Sequence, residues 1–147
     1  MALMNNITAI QAIVAAVPGV ENVYDTVRNW QGEQQFRDGA RTIAGAIQFW
    51  FLTREGTSGS DLGPQFTARR HRIAMHAYAG VNDSSESEKT FQALLEDVVE
   101  ALQTDRKLDS TARHSGPTAI RTVDFRVINN VLCHHAELVI EVDDKPA

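Results

Sequence analysis

Cysteine is nearly missing from this sequence. Cys133 stands alone among 147 residues, which excludes an intrachain disulfide and any multi-cysteine metal site built by one copy. Positive charge is short as well: 14 basic residues face 19 acidic ones, for a formal charge of -5. That balance argues against a nucleic-acid binder acting over its whole surface, while leaving room for a local basic patch. No basic residue precedes Arg28, so the apolar stretch from Ile7 to Val17 lacks the charged n-region of a signal peptide. Nor does any run approach the roughly 18 apolar residues of a membrane helix. With 43% hydrophobic and 22% charged residues, the chain reads as one globular domain, maturing in a reducing compartment and staying where it is made.

What is present is periodicity. Ile7, Ile10, Ile13, Val14 and Val17 mark one face of a helix over residues 5–17, with Asn5 and Asn6 as N-cap candidates and Pro18-Gly19 as the stop. Val20, Val23 and Val27 around Tyr24-Asp25 allow a short strand. From Arg41 to Thr53 the period becomes two: Ile43, Gly45, Ile47, Phe49 and Phe51 share one side, and Ala44, Ala46, Gln48, Trp50 and Leu52 the other. Both sides are apolar, as in a strand buried twice or set at a subunit interface. The segment Arg54–Phe66, rich in Gly and Ser, reads as a flexible hairpin loop. Ala68–Ala79 alternates again, which predicts an extended β-hairpin.

The clearest helix follows. Ser85 and Glu88 have capping-box spacing, and Phe91, Leu94, Leu95, Val98 and Leu102 form an apolar stripe. A polar stretch, Asp109–Pro117, leads to a closing hairpin. There Arg121, Val123, Phe125 and Val127 alternate, Asn129-Asn130 turns, and Leu132 to Val142 returns. The fold class is therefore α+β: an antiparallel or mixed sheet with a long hairpin, packed against two main helices in a single domain spanning 1–147.

The residues offer little chemistry. Gly56-Thr57-Ser58-Gly59-Ser60-Asp61-Leu62-Gly63 lacks the Lys-Ser/Thr of a phosphate-binding loop and sits between strands. His134 and His135 point to opposite sides of a strand, so they cannot chelate one ion together. His135 and Glu137 share a side, with His76 as a conceivable third ligand, against three or four ligands that zinc requires. Cys133 inside a strand is badly presented for nucleophilic attack. No catalytic, cofactor or metal residue is assigned, and the chain is expected not to be an enzyme.

Contact residues are better candidates. Only three of the 14 basic residues are lysines (Lys89, Lys107 and Lys145), and arginine suits bidentate pairing at interfaces. Arg69, Arg70 and Arg72 form the dense cluster, next to the loop carrying Arg54, Gly56, Gly59 and Asp61. Phe49 and Phe51 sit on the strand with two apolar faces. These residues are the expected interface, with Arg70 and Arg72 pairing carboxylates of a neighbour.

The order is a helix ending Val17-Pro18-Gly19-Val20-Glu21-Asn22-Val23-Tyr24, then Ala46-Ile47-Gln48-Phe49-Trp50-Phe51 paired across a glycine-rich loop with His71–Tyr78. A capped helix and a closing hairpin ending Ala136–Val142 follow. From Ile7 to Val142 this resembles the tail terminator (tail completion) proteins of long-tailed bacteriophages. The resemblance implies a homohexameric ring at the head-proximal end of the tail tube, which stops tube polymerisation and offers the surface that joins tail to head. It implies a virion location after assembly in the host cytoplasm. The partners would be other copies of the chain, the tail tube protein, a neck or connector protein, and a sheath protein where the tail is contractile. Genomic DNA only passes through the lumen, and no membrane or cofactor is involved. A neck or head–tail connector protein of similar size, a small ligand-binding α+β dimer, and an enzyme using Cys133 or the histidines are the alternatives.

Overall fold

The computed structural model describes residues 2–27, 30–42, 45–63, 66–82, 86–108 and 112–144. In chain order these form helix α1 (Ala2–Ala15), strand β1 (Val23–Tyr24), helix α2 (Glu33–Ala40), strands β2 (Gln48–Gly63) and β3 (Phe66–Gly80), helix α3 (Ser87–Thr104), and strands β4 (Ala112–Ile128) and β5 (Val131–Asp144). The strands build one five-stranded sheet ordered β1-β2-β3-β5-β4. β1 lies parallel to β2, and every other pair is antiparallel. The chain is an α+β single domain with a mixed sheet and a long hairpin, as its periodicity predicts.

Alternation decides the main core. His71, Ile73, Met75 and Ala77 of β3 and Ala136, Leu138, Ile140 and Val142 of β5 are buried on one face of the sheet. Against them pack Ile7, Ile10 and Val14 of α1 and the whole predicted stripe of α3: Phe91, Leu94, Leu95, Val98 and Leu102. Trp50 and Leu52 of β2 complete the layer. The indole N–H of Trp50 donates to Gln48 Oε1 at 2.8 Å, and Gln48 in turn donates to the Gly19 carbonyl at 3.0 Å. A fully buried indole is thereby satisfied, and the turn after α1 is tied to β2.

Several boundaries differ from expectation. α1 begins at Ala2, so Asn5 and Asn6 lie inside it and cap nothing. Asn6 is buried, and its amide donates to Asp144 Oδ1 at 2.6 Å; a tertiary bond takes the side chain that would otherwise cap. The strand expected from Arg41 starts at Gln48: Arg41 and Ile47 make only an isolated bridge, Gly45 has φ +85°, and residues 43–44 lie outside the described residues. The expected loop over 54–66 is not a loop where described. Residues 54–63 continue β2, opposite β3 from Arg54↔Ile73 to Gly63↔Phe66. Gly and Ser are poor strand formers, but the ladder begun at Gln48↔Ala79 carries them along. The polar stretch before the closing hairpin is likewise strand from Ala112 on, and residues 109–111 lie outside the described residues.

The expected Ser85–Glu88 capping box falls partly outside the described residues, at Ser85. The cap position of α3 is Glu86, at φ +54° with no side-chain capping bond. Glu88 still falls in the first turn, where its charge meets the positive end of the helix dipole.

The second face of the sheet is covered at one end by α2, an element absent from the sequence expectations. Phe36 and Ala40 bury against Phe49, Tyr78 and Cys133. Trp30 packs edge-on against Phe36 and Phe49, with ring centroids 5.4 and 4.8 Å away. Gly39 is obligatory beneath that ring, because a β-carbon there would lie 2.5 Å from Trp30 Nε1.

Two substitutions check this packing by chemical denaturation. Leu95→Ala, at a position with no solvent exposure, is expected to cost about 2–5 kcal/mol. Gly39→Ala should destabilise the α2 side and change Trp30 fluorescence. If Leu95→Ala costs under about 0.5 kcal/mol, the level of an ordinary surface change, α3 does not pack on this face.

Candidate interaction surface

Beyond α2, the second face of the sheet is charged. Arg70 makes a forked contact with Asp143, Nε to Oδ1 at 2.8 Å and Nη2 to Oδ2 at 3.2 Å, and reaches Glu141 at 3.2 Å. Arg72 approaches Glu55 at 3.6 Å, while Arg121 bridges Glu55 at 3.1 Å and Glu137 at 3.4 Å. Ala74 and Val139, paired in register on the same face, are buried among these long side chains although no helix of the described residues lies over them. Exposed pairs of this kind contribute about 0–1 kcal/mol each. They define a patterned surface more than they hold the fold.

A polar chain crosses the sheet beside this ladder. The Asp124 carboxylate accepts from His135 Nδ1 at 2.6 Å, and His135 Nε2 lies 3.0 Å from His76 Nδ1. With Asp124 accepting, His135 carries its proton on Nδ1, Nε2 accepts from the Nδ1–H of His76, and Nε2 of His76 is left as the free lone pair. Phe51 stacks on His76 at 5.0 Å between centroids, and Tyr78 tilts over His135 at 4.7 Å. Burial holds both imidazoles below their ordinary pKa; at His76 the neighbouring His135 adds to the effect, and at His135 the Asp124 bond opposes it. The His135 bond in turn lowers the Asp124 carboxyl. Phe49, Phe51, Tyr78 and Trp30 line a cleft of about 300 Å³ next to this chain.

On the helix-covered face, the far end of β5 is pinned by a second polar node. His71 Nε2 meets Asp144 Oδ2 at 2.7 Å, and Thr57 Oγ1 meets His71 Nδ1 at 2.8 Å. The Thr57 hydroxyl donates to Nδ1 when Asp144 accepts from Nε2. Past this node the sheet narrows. The pairing of β3 with β5 ends at Arg70↔Asp143, yet β2 and β3 stay paired through Gly59↔Arg69, Ser60↔Ala68, Asp61↔Thr67 and Gly63↔Phe66. Among the described residues no third strand joins them, so the hairpin continues as a two-stranded arm.

The expected interface residues therefore divide. Gly56, Gly59, Arg69, Arg70 and Arg72 cluster around the root of the arm and are exposed or partly so, with Arg54 exposed on β2 just before it. Asp61 is on the arm, and its side chain lies outside the described residues. Phe49 is not a surface residue: it is buried beneath Trp30 and Phe36, because its face of β2 is the one α2 covers. Phe51 is half-buried at the cleft. Arg70 and Arg72 pair carboxylates of their own chain, since antiparallel pairing brings acidic β5 and Glu55 within reach.

The chemical candidates can be placed as well. Among the described residues no three His, Cys, Asp or Glu side chains are grouped to hold a metal ion. His76 does meet His135, but Asp124 takes the other imidazole nitrogen, and Glu137 pairs with Arg121. His134 points to the opposite face, where it contacts Ser87 Oγ at 2.8 Å and stacks on Phe91. Burial pushes the Cys133 thiol up to about 11, which keeps it protonated and unreactive. Among the described residues no helix is long and apolar enough to cross a membrane. The Asp124–His135–His76 chain was missed in the sequence, because it joins residues from three strands.

No protein family matches the sequence, and no curated protein matches it significantly. Among solved structures the chain is similar to one described as "Virion of native gene transfer agent (GTA) particle", with 11% identity, coverage of 93% of each chain and a TM-score of 0.37. A likeness at that level carries no argument about what this chain does.

The histidine chain makes a pH prediction. Both imidazoles have folded pKa values below their unfolded ones, so the unfolded chain binds protons first on acidification. Stability should be full above the ordinary histidine value near 6.5 and fall as pH drops toward 5. Asp124, shifted down, loses its contribution only at lower pH. Urea unfolding at pH 7 and pH 5 should show this decline, and His135→Gln should flatten it. An unchanged slope in the variant would remove the chain as its source.

Proposed function

We propose that this chain is a structural component of a phage-type virion, acting by contact and not by catalysis. Its role is that of a tail terminator: a ring, six copies around, that caps the head-proximal end of a tail tube and joins it to the neck. The observation that carries this reading is the two-stranded arm. An isolated hairpin is marginally stable in water, and this one extends past the last β5 pair with no third strand beside it among the described residues. Pairing or packing against an adjacent subunit or ring completes it. The ion-pair ladder lies at its root.

The resemblance in element order supports the same role, since the initial helix, long hairpin, amphipathic helix and closing hairpin all occur in the expected sequence. The partners on this reading are other copies of the chain, the tube protein, a neck or connector protein and, in a contractile tail, the sheath. A neck or connector protein would use the same arm, and position along the tail separates the two roles.

The test is to replace residues 59–69 with a short turn joining Ser58 to Arg70, the last three-stranded register. Because no other strand pairs with the arm, folding stability should stay within about 0.5 kcal/mol of the parent, as for a surface change. Tails assembled with this variant should fail to join heads or should lose length control in electron micrographs. An unfolded variant, or normal tails, would contradict the role given to the arm.

A further inference from the structure

The outer edge of β4 is unguarded where it is most regular. Three irregularities interrupt its pairing with β5, at Ala112/His114, Ser115/Thr118 and Ile120/Thr122, and all lie before Thr122. There the edge is also occupied, with the Ala112 and Ser115 amides donating to the Lys107 and Arg106 carbonyls. From Thr122↔Glu137 to Ile128↔Val131 the register runs unbroken. Among the described residues no backbone group of another element pairs with the outer side of that run. It carries no lysine and no proline, two of the usual devices against edge pairing, and its two charges, Asp124 and Arg126, are of opposite sign. Its side chains on the helix-covered face, Val123, Phe125 and Val127, are 46%, 56% and 66% exposed, and the adjacent Leu132 of β5 is 49% exposed.

The run is complementary to itself. Laid antiparallel on a second copy about a two-fold axis at Phe125, Val123 faces Val127 of the copy, and Asp124 faces its Arg126. Thr122 and Ile128 close the two ends. Sliding the register by two residues either way opposes Asp124 to Asp124 or Arg126 to Arg126, and like charges directly opposite repel. An odd slip would turn the apolar side chains to the wrong face. Asp124 and Arg126 are both partly exposed and lie 3.5 Å apart within one chain, so each can trade that contact for its counterpart on the copy. We infer that the 122–128 edge of β4 is a homodimer contact, two copies pairing antiparallel about Phe125 into one continuous sheet.

This contact belongs to the free chain and does not rest on the virion reading. A head-to-tail ring would use different surfaces on its two sides, whereas this pairing uses the same one twice.

The test is light-scattering mass of the purified chain and two variants. The parent should have a mass of two copies. Arg126→Asp sets Asp124 against a new carboxylate on each side, and Asp124→Arg does the same with guanidiniums, so each variant alone should run as a monomer. Mixed together they should recover the two-copy mass, because one strand is then all basic and the other all acidic. Monomeric parent protein, a parental mass unaffected by either reversal, or a mixture that stays monomeric would overturn the proposal.

Asp124→Arg removes the His135 partner, so a second measurement covers a folding failure. Directly opposite residues in an antiparallel pair have Cα atoms about 4.5–5.5 Å apart, within disulfide range. Phe125→Cys should therefore give a disulfide-linked dimer on mild oxidation, while the parent, whose Cys133 is buried, does not. No crosslink would overturn the stated register. Failure of tail joining with an intact dimer would bear on the virion role alone.

Discussion

The register between β3 and β5 is the constraint on which the rest of this structure depends. A slip of one residue would turn Ile73, Met75, Leu138 and Ile140 away from α1 and α3 and bring Arg72 and Glu141 into the core. The same register sets Arg70 opposite Asp143, brings His76 to His135, and places Asp144 where Asn6 and His71 both reach it. Hydrophobic burial fixes the strands, and the polar constellations follow as consequences of that placement.

A sheet with two apolar faces needs cover on both, and this chain supplies it unevenly. One face has two long helices. The other has α2, which shields only the Phe49, Tyr78 and Cys133 end. Elsewhere the charged ladder of Arg70, Arg72 and Arg121 does the covering with aliphatic stems. Among the described residues, the end of the β2–β3 hairpin and the 122–128 edge of β4 are left open. These lie outside the main core, so contacts made there leave the fold intact.

The sequence was legible where burial has a simple period. The α3 stripe, the alternation along β3 and the return strand β5 follow from side-chain spacing alone. It was misleading where tertiary context outweighs local preference. Gly56, Ser58 and Gly59 resemble a loop by composition, yet the ladder extends them as strand. Asn6 resembles a cap but is drawn into the core by Asp144. α2 has one large buried apolar residue, Phe36, too little for a period to show. The clustering of arginines was legible at the root of the arm, but only the fold brings Arg70 to Asp143 and Glu141 and Arg72 to Glu55.

On the proposed role, another molecule completes the arm formed by the ends of β2 and β3. Amide hydrogen exchange over residues 59–63, beyond the last register shared with β5, followed in the free chain and in purified tails, tests this directly. Exchange there should be rapid in the free chain, with β3 residues 73–79 strongly protected, and slow once the chain is in the tail. Equal protection of 59–63 in both states would contradict that role.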